Sequence, residues 1–291
     1  MYEKWLHSYI LYSMILYWYY FLLAFVLGVA IGSFLNVVIL RHEKEERITG
    51  RSHCIHCGRK LSWYELIPLL SYLLQLGKCN GCKAFLTFQY PLVEFLTGAL
   101  FVITLGTVVG PMGSIVNVTY YLALSLLAHL IIWSLFIIIT VYDFRTKLIP
   151  DVFSFSLAGI AFLHLFIQDG VLLVPSYWDL FAGPLLFLPF YILWKVSDGR
   201  WLGLGDGKLA LGIGWFLGFS LGGTAILFAF WIGAIVSVGL IVIQKLLQKT
   251  SEQLGKETLT LKSEVPFGPF MVLGTFIVYM TEMNMFFGVM F

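Results

Sequence analysis

Apolar residues in this chain come in long blocks, and the polar positions between them are few and clustered. Stretches of about 20 apolar residues recur, the length a helix needs to cross the hydrocarbon core of a bilayer. The roughly 10-residue alternation of a membrane β-barrel is absent. The pattern predicts an all-α polytopic membrane protein with about eight transmembrane helices, at roughly 10–40, 88–107, 118–142, 152–168, 179–196, 207–221, 223–244 and 267–287. The first run is longer than a crossing requires, so only part of it is expected to be immersed. No separate signal-peptide pattern precedes it, and it is read as a retained helix. The sixth, "LALGIGWFLGFSLGG", is short and glycine-rich, which suits close packing against neighbours. The pattern divides the chain into a first transmembrane segment (1–40), a four-cysteine cytoplasmic loop domain (41–87) and a transmembrane remainder (88–291).

Composition agrees. The chain of 291 residues is 59% hydrophobic and only 12% charged, against about 25% charged in a soluble domain. The net charge of +2 carries little information, but its distribution carries much. Seventeen of the 18 Lys and Arg fall in four loops, 41–83, 143–150, 195–208 and 245–262, and the loops near 108–117, 169–178 and 222 have none. Basic residues accumulate on the cytoplasmic side, so these four loops are expected to be cytoplasmic and both termini external. The expected partner is the lipid bilayer, and no nucleic-acid partner is expected.

The first of these loops reads "CIHCGRKLSWYELIPLLSYLLQLGKCNGC" and holds all four cysteines, Cys54, Cys57, Cys79 and Cys82, as two CxxC pairs. Two such turns present a tetrahedral set of thiolates suited to structural Zn²⁺, with Gly58 and Gly81 expected to help the turns form. Cytoplasmic thiols stay reduced, which disfavours lasting disulfides. A redox dithiol pair and a metal-free cluster remain as alternatives. His53 and His56 flank the first pair and read as solvated loop residues.

Lone carboxylates mark the borders of the apolar blocks. Asp143 and Asp151 bracket "DFRTKLIPD", and Asp206 lies in "GLGDGK". An ionisable residue at a membrane border is a functional hypothesis in itself. Asp151 follows Pro150 at the start of a span, where a carboxylate favours the helix dipole, and a capping role is expected. Asp143 ends an apolar helix, where the dipole disfavours it. Asp206 is flanked by glycines that leave it open to a partner. Two carboxylates sharing a proton run acid–base hydrolysis, one activating water and the other polarising the scissile carbonyl. Proton-coupled transport by the same pair is the alternative.

"GSFLNVVILR" (32–41), the cysteine loop with the helix after it (54–98), "DFRTKLIPD" (143–151) and "GLGDGK" (203–208) together resemble the type IV prepilin peptidases, integral-membrane aspartyl proteases of bacteria, over nearly the whole chain. The departures are Gly207, where that family more often has valine, and Ile55-His56, where a proline is frequent. The resemblance implies that Asp143 and Asp206 are the catalytic aspartates. It implies prepilin and pseudopilin substrates, cut after a glycine at the cytoplasmic face of the inner membrane. N-methylation of the new N-terminus with S-adenosylmethionine is implied as well, although no glycine-rich nucleotide fingerprint is present. Glu94 in "QYPLVEF" is expected to pair with a loop lysine or arginine, or to help bind the methyl donor or the new amino terminus. Glu43, Glu45 and Glu46 are expected to hold the basic leader, or to be a solvated cluster.

Overall fold

In the computed structural model, residues 2–110, 120–168, 171–246 and 265–285 are described. Their elements, in order, are α1 (Tyr2–Glu43), a 3-10 turn (Trp63–Leu66), α2 (Leu70–Leu74), α3 (Gln89–Val109), α4 (Tyr120–Thr146), α5 (Asp151–His164), β1 (Ile167–Gln168), β2 (Val171–Leu172), α6 (Tyr177–Ser197), α7 (Leu204–Leu246) and α8 (Gly268–Thr281). Among the described residues, the regular elements are helices apart from one antiparallel hairpin, which pairs Ile167 with Leu172 and Gln168 with Val171, and two isolated bridges in the cysteine loop, His53–Lys60 and Lys78–Phe85. Among the described residues, five helices are long and apolar enough to cross a membrane: α1 from Ile15, α3, α4, α6 and α7. The Lys residues at 249, 256 and 262 and the end of the predicted last span lie outside the described residues.

The chain forms two compact units, 1–138 with 167–173, and 139–166 with 174–291. In the first, α1 packs on α3 through small residues. Gly28 and Gly32 form a GxxxG face. A Cβ at Gly28 would stand 2.8 Å from the Gly98 Cα, and one at Gly32 would stand 2.7 Å from the Glu94 Cα. Such backbone approach is how helices associate where no hydrophobic drive separates protein from lipid.

The remaining residues of the "GSFLNVVILR" block tie α1 to α3 and to the cysteine loop. Buried Asn36 donates to the Tyr90 carbonyl (3.2 Å) at the start of α3. Arg41 donates to the carbonyls of Arg47, Ile48, Gly50 and Arg51, folding the chain back over the end of α1.

In the second unit α7 packs against α5, α6 and α8. It is broken at Gly218 (φ 79°, ψ 175°), a backbone conformation that favours glycine. The chain reverses there: a Cβ at Gly222 would lie 3.5 Å from the Gly214 Cα, and Phe190 of α6 meets both Gly207 and Phe230. A straight helix would hold residues 207 and 230 about 34 Å apart. The two predicted runs at 207–221 and 223–244 are therefore the arms of one helical hairpin, and its turn is at Gly218 instead of near 222. The first arm (204–217), α5 and α8 are each only about 21 Å long.

Candidate active site and metal centre

Asp143, 4% exposed, lies in the last turn of α4, where the helix dipole opposes its charge. Its Oδ2 accepts the amide of Gly268 at 2.9 Å, and Gly268 is the first residue of α8. The positive end of α8 thus faces a carboxylate that its own helix disfavours. A Cβ at 268 would stand 2.7 Å from Asp143 Oδ2, so any larger residue there must displace the carboxylate.

Asp206 sits in the first turn of α7, half-buried, and accepts the Gly203 amide. That bond is the reach-back of an acidic residue to the N-cap amide at a helix start. Asp143 and Asp206 are near enough for their like charges to repel each other. Ile149, in the turn between α4 and α5, packs against both Gly205 and Gly268, which brings the starts of α7 and α8 together. The structure therefore places the two sequence-predicted aspartates in one site.

Asp151 lies in the first turn of α5, where the helix dipole favours its charge, and Pro150 is the N-cap. Its side chain, 64% exposed, is paired with Lys208 Nζ at 2.5 Å. Lys208, two residues after Asp206, also lies over the Phe155 ring. The residue expected as a cap thus ties the start of α5 to that of α7.

In the first unit the four cysteine sulfurs lie within 4.8 Å of one another, with Cys54 and Cys82 at 3.9 Å. A tetrahedral zinc with Zn–S near 2.3 Å needs sulfurs about 3.8 Å apart, and the set fits. Each CxxC forms the same turn. The Cys54 amide bonds the Arg59 carbonyl and Gly58 returns to Cys54; the Cys79 amide bonds the Ala84 carbonyl and Lys83 returns to Cys79. Gly58 takes the left-handed position (φ 69°), but its counterpart is Lys83 (φ 58°), not Gly81. Gly81 instead makes room for Arg59, whose Nε would stand 2.9 Å from a Cβ there.

The backbone amides of Cys82 and Gly81 pull the Cys79 thiol down to about 6. Cys82, despite the Ala84 amide, is pushed up to about 11 by desolvation and its sulfur neighbours.

Sequence reasoning passed over Glu65, the lone acid between the two pairs. Buried beneath both turns, it accepts from Arg59 (2.6 Å), the Ser62 amide (2.8 Å) and Asn80 (3.0 Å), joining one knuckle to the other. The Arg59 guanidinium, helped by the Ser62 and Asn80 bonds, holds its carboxyl below the usual carboxylate range.

Among the described residues, Glu94, 7% exposed, meets neither a lysine nor an arginine: it accepts the backbone amide of Leu69 at 2.7 Å and bonds the Ser33 hydroxyl. Glu45 and Glu46 are exposed and Glu43 is half-buried. A cavity of about 180 Å³ lies between the end of α1 and the cysteine loop, lined by Asn36, Glu46, Ser52, Tyr72, Gln75 and Tyr90 among others.

Fold and site together define a multi-pass helical membrane protein with a paired-carboxylate centre and a four-thiol knuckle. The family described as "Bacterial Peptidase A24 N-terminal domain" matches residues 26–108, and "Type IV leader peptidase family" matches 130–238. The chain is 30% identical to a prepilin leader peptidase/N-methyltransferase of Aeromonas salmonicida (strain A449), over 89% of this chain and 90% of that one. Its likeness to a protein of the same name in Myxococcus xanthus (strain DK1622) is 36%, over 74% and 61%. With that of Bacillus subtilis (strain 168) it is 28%, over 88% and 92%. No solved structure matches. The chain belongs to the type IV prepilin leader peptidase family.

Proposed function

We propose that this protein is an aspartyl endopeptidase of the bacterial inner membrane. It removes the basic leader from prepilins and pseudopilins at the cytoplasmic face and methylates the amine so exposed. The observation that carries the reading is the convergence of Asp143 and Asp206 at the starts of α8 and α7. The pair, acting as one titrating unit, takes a proton from water as its oxygen adds to the carbonyl carbon of the glycine. It then returns a proton to the leaving nitrogen as the C–N bond breaks. Both carboxylates lie at helix ends, unlike transporter sites, which gather near the bilayer midplane, so the relay alternative finds no support.

The four-thiol set is the proposed seat of one Zn²⁺. Cys54, Cys57, Cys79 and Cys82 would fill all four positions of such an ion, which would then hold the loop together structurally. The methyl donor supplies an electrophilic methyl group. The cavity beside α1 is its proposed seat, with the Glu46 carboxylate in its lining beside basic Arg41 and Lys44 and the Tyr72 and Tyr90 rings offered to its flat base. The concentration of Lys and Arg in four loops supports a topology with the aspartates on the cytoplasmic side, both termini outside and eight helical passes.

Incubation of the purified protein with a prepilin, with and without S-adenosylmethionine, and read by intact mass, tests both activities. Loss of the leader mass is expected in each case, with a further methyl mass only with the donor. An uncut prepilin would refute the peptidase, and a cut, unmethylated product in the presence of donor would refute the transferase.

A further inference from the structure

The stretch from Trp63 to Leu76 is built inside out. Its polar side chains point inward: Glu65 is 7% exposed, and Glu65, Ser71, Tyr72 and Gln75 line the cavity. Its apolar side chains point outward, including Trp63 (76% exposed), Leu73 (67%), Leu74 (74%) and Leu76 (83%). Phe85 and Phe88, nearby in the same loop, are 75% and 66% exposed. Soluble proteins rarely leave so continuous an apolar face uncovered, and one this large marks a partner.

The Glu94–Leu69 hydrogen bond says at what depth that partner lies. Glu94 is five residues into α3, about 7.5 Å along its axis. At 21 residues α3 is only about 32 Å long, barely more than the hydrocarbon core. With α3 spanning the core end to end, the 2.7 Å bond from the Leu69 amide holds the start of α2 about 7 Å inside the headgroup–acyl boundary. Leu69 is held there with φ 60°, a conformation a leucine rarely adopts, which a buried carboxylate acceptor helps to maintain. Interfacial helices sit about 5–10 Å into that boundary, and tryptophan and tyrosine favour it. Lys60, Lys78 and Lys83 in the same loop supply charge for anionic headgroups, and Lys78 lies over the Phe85 ring.

We infer that Trp63–Leu76 is a monotopic membrane anchor, with α2 seated in the bilayer interface and its leucines in the acyl region. The cysteine loop is then docked on lipid and does not stand free in water. The occupant of this face is a lipid surface containing anionic headgroups.

The test places the photoreactive residue p-benzoylphenylalanine at Leu74 or at Arg51 of the full-length protein. The protein is reconstituted in vesicles of phosphatidylethanolamine and phosphatidylglycerol. After irradiation, mass spectrometry is expected to show lipid adducts at position 74 several-fold above those at 51, unchanged when prepilin is added. Glu94→Leu, which removes the acceptor for Leu69, is expected to lower the yield at 74 while the chain still inserts. Equal yields at 74 and 51 would overturn the inference, as would adducts at 74 that transfer from lipid to prepilin and so reveal a substrate groove.

Discussion

The amide of Gly268 donates to Asp143 Oδ2 across 125 residues of chain, so one helix begins on the carboxylate that ends another. The bond explains how a charge can sit at the unfavourable end of α4: the positive terminus of α8 offsets the negative terminus of its own helix. It also fixes one of the two carboxyls proposed to react, by an interaction the substrate does not have to supply.

Removing either carboxyl is expected to stop peptide hydrolysis. Asp143→Asn and Asp206→Asn should each lower the cleavage rate by roughly 10²–10⁴-fold, the usual worth of a positioned acid–base group. Membrane insertion and methylation of a pre-cut substrate should persist. Prepilin cleavage followed by mass is the measurement, and a full rate in either variant would contradict the assignment.

Gly268→Ala is expected to act like a mild version of the same lesion. The new methyl group would stand 2.7 Å from Asp143 Oδ2, so the carboxylate must move. A displacement of about 1 Å at a reacting group costs on the order of 10²-fold in rate. Cleavage should fall by about that factor with the KM for prepilin little changed.

The Asp151–Lys208 tie is exposed on its aspartate side and is expected to matter less. Exposed pairs contribute about 0–1 kcal/mol. Asp151→Asn should leave more than half of the cleavage rate, and thermal unfolding should shift only slightly. A loss as large as that of Asp206→Asn would give Asp151 a direct part in the reaction.

Zinc is expected at about one ion per chain in protein purified without chelator, with Zn–S distances near 2.3 Å by X-ray absorption. Replacing exposed Cys57 and Cys82 with serine should abolish the metal and open residues 44–88 to protease. Four thiols that titrate freely in the native protein would exclude the metal.

Glu65 gives the cysteine loop an acid limit. Its carboxyl lies below its ordinary 4.5, first through Arg59. A depressed carboxylate stabilises the fold fully above its unfolded pKa and loses that contribution as pH falls through the folded value. Protease resistance of the loop should hold at pH 5 and above, then decline below about 4.5. In Glu65→Gln this acid-dependent part of the decline should disappear, with lower resistance at neutral pH.

What could be read along the chain was whatever depends on local spacing. The CxxC pairs announced their sulfur cluster, and the apolar blocks announced helices on either side of each lone aspartate. What could not be read depends on distant partners. Nothing near Asp143 in sequence points to Gly268. Glu94 was expected to seek a cation, but helix packing through Gly32 brings it to a backbone amide. Gly218 was one glycine among several in a tight apolar run, and only the fold-back distinguishes it from Gly222. Gly81 looked like a turn residue because of its position, yet the left-handed residue is Lys83 and the glycine leaves space for Arg59.

The three short arms that carry the reactive end, α5, the first arm of α7 and α8, are about 21 Å long, against a hydrocarbon core of about 30 Å. If these three arms cross the bilayer, as the proposed eight passes require, a deficit of about 9 Å on them is a hydrophobic mismatch. The bilayer relieves such a mismatch by thinning around the short elements. Lipid chain length thereby becomes a variable of the reaction: the same protein in thick bilayers should bear a load on these helices that it does not bear in thin ones, and should work fastest where the membrane matches its shortest parts.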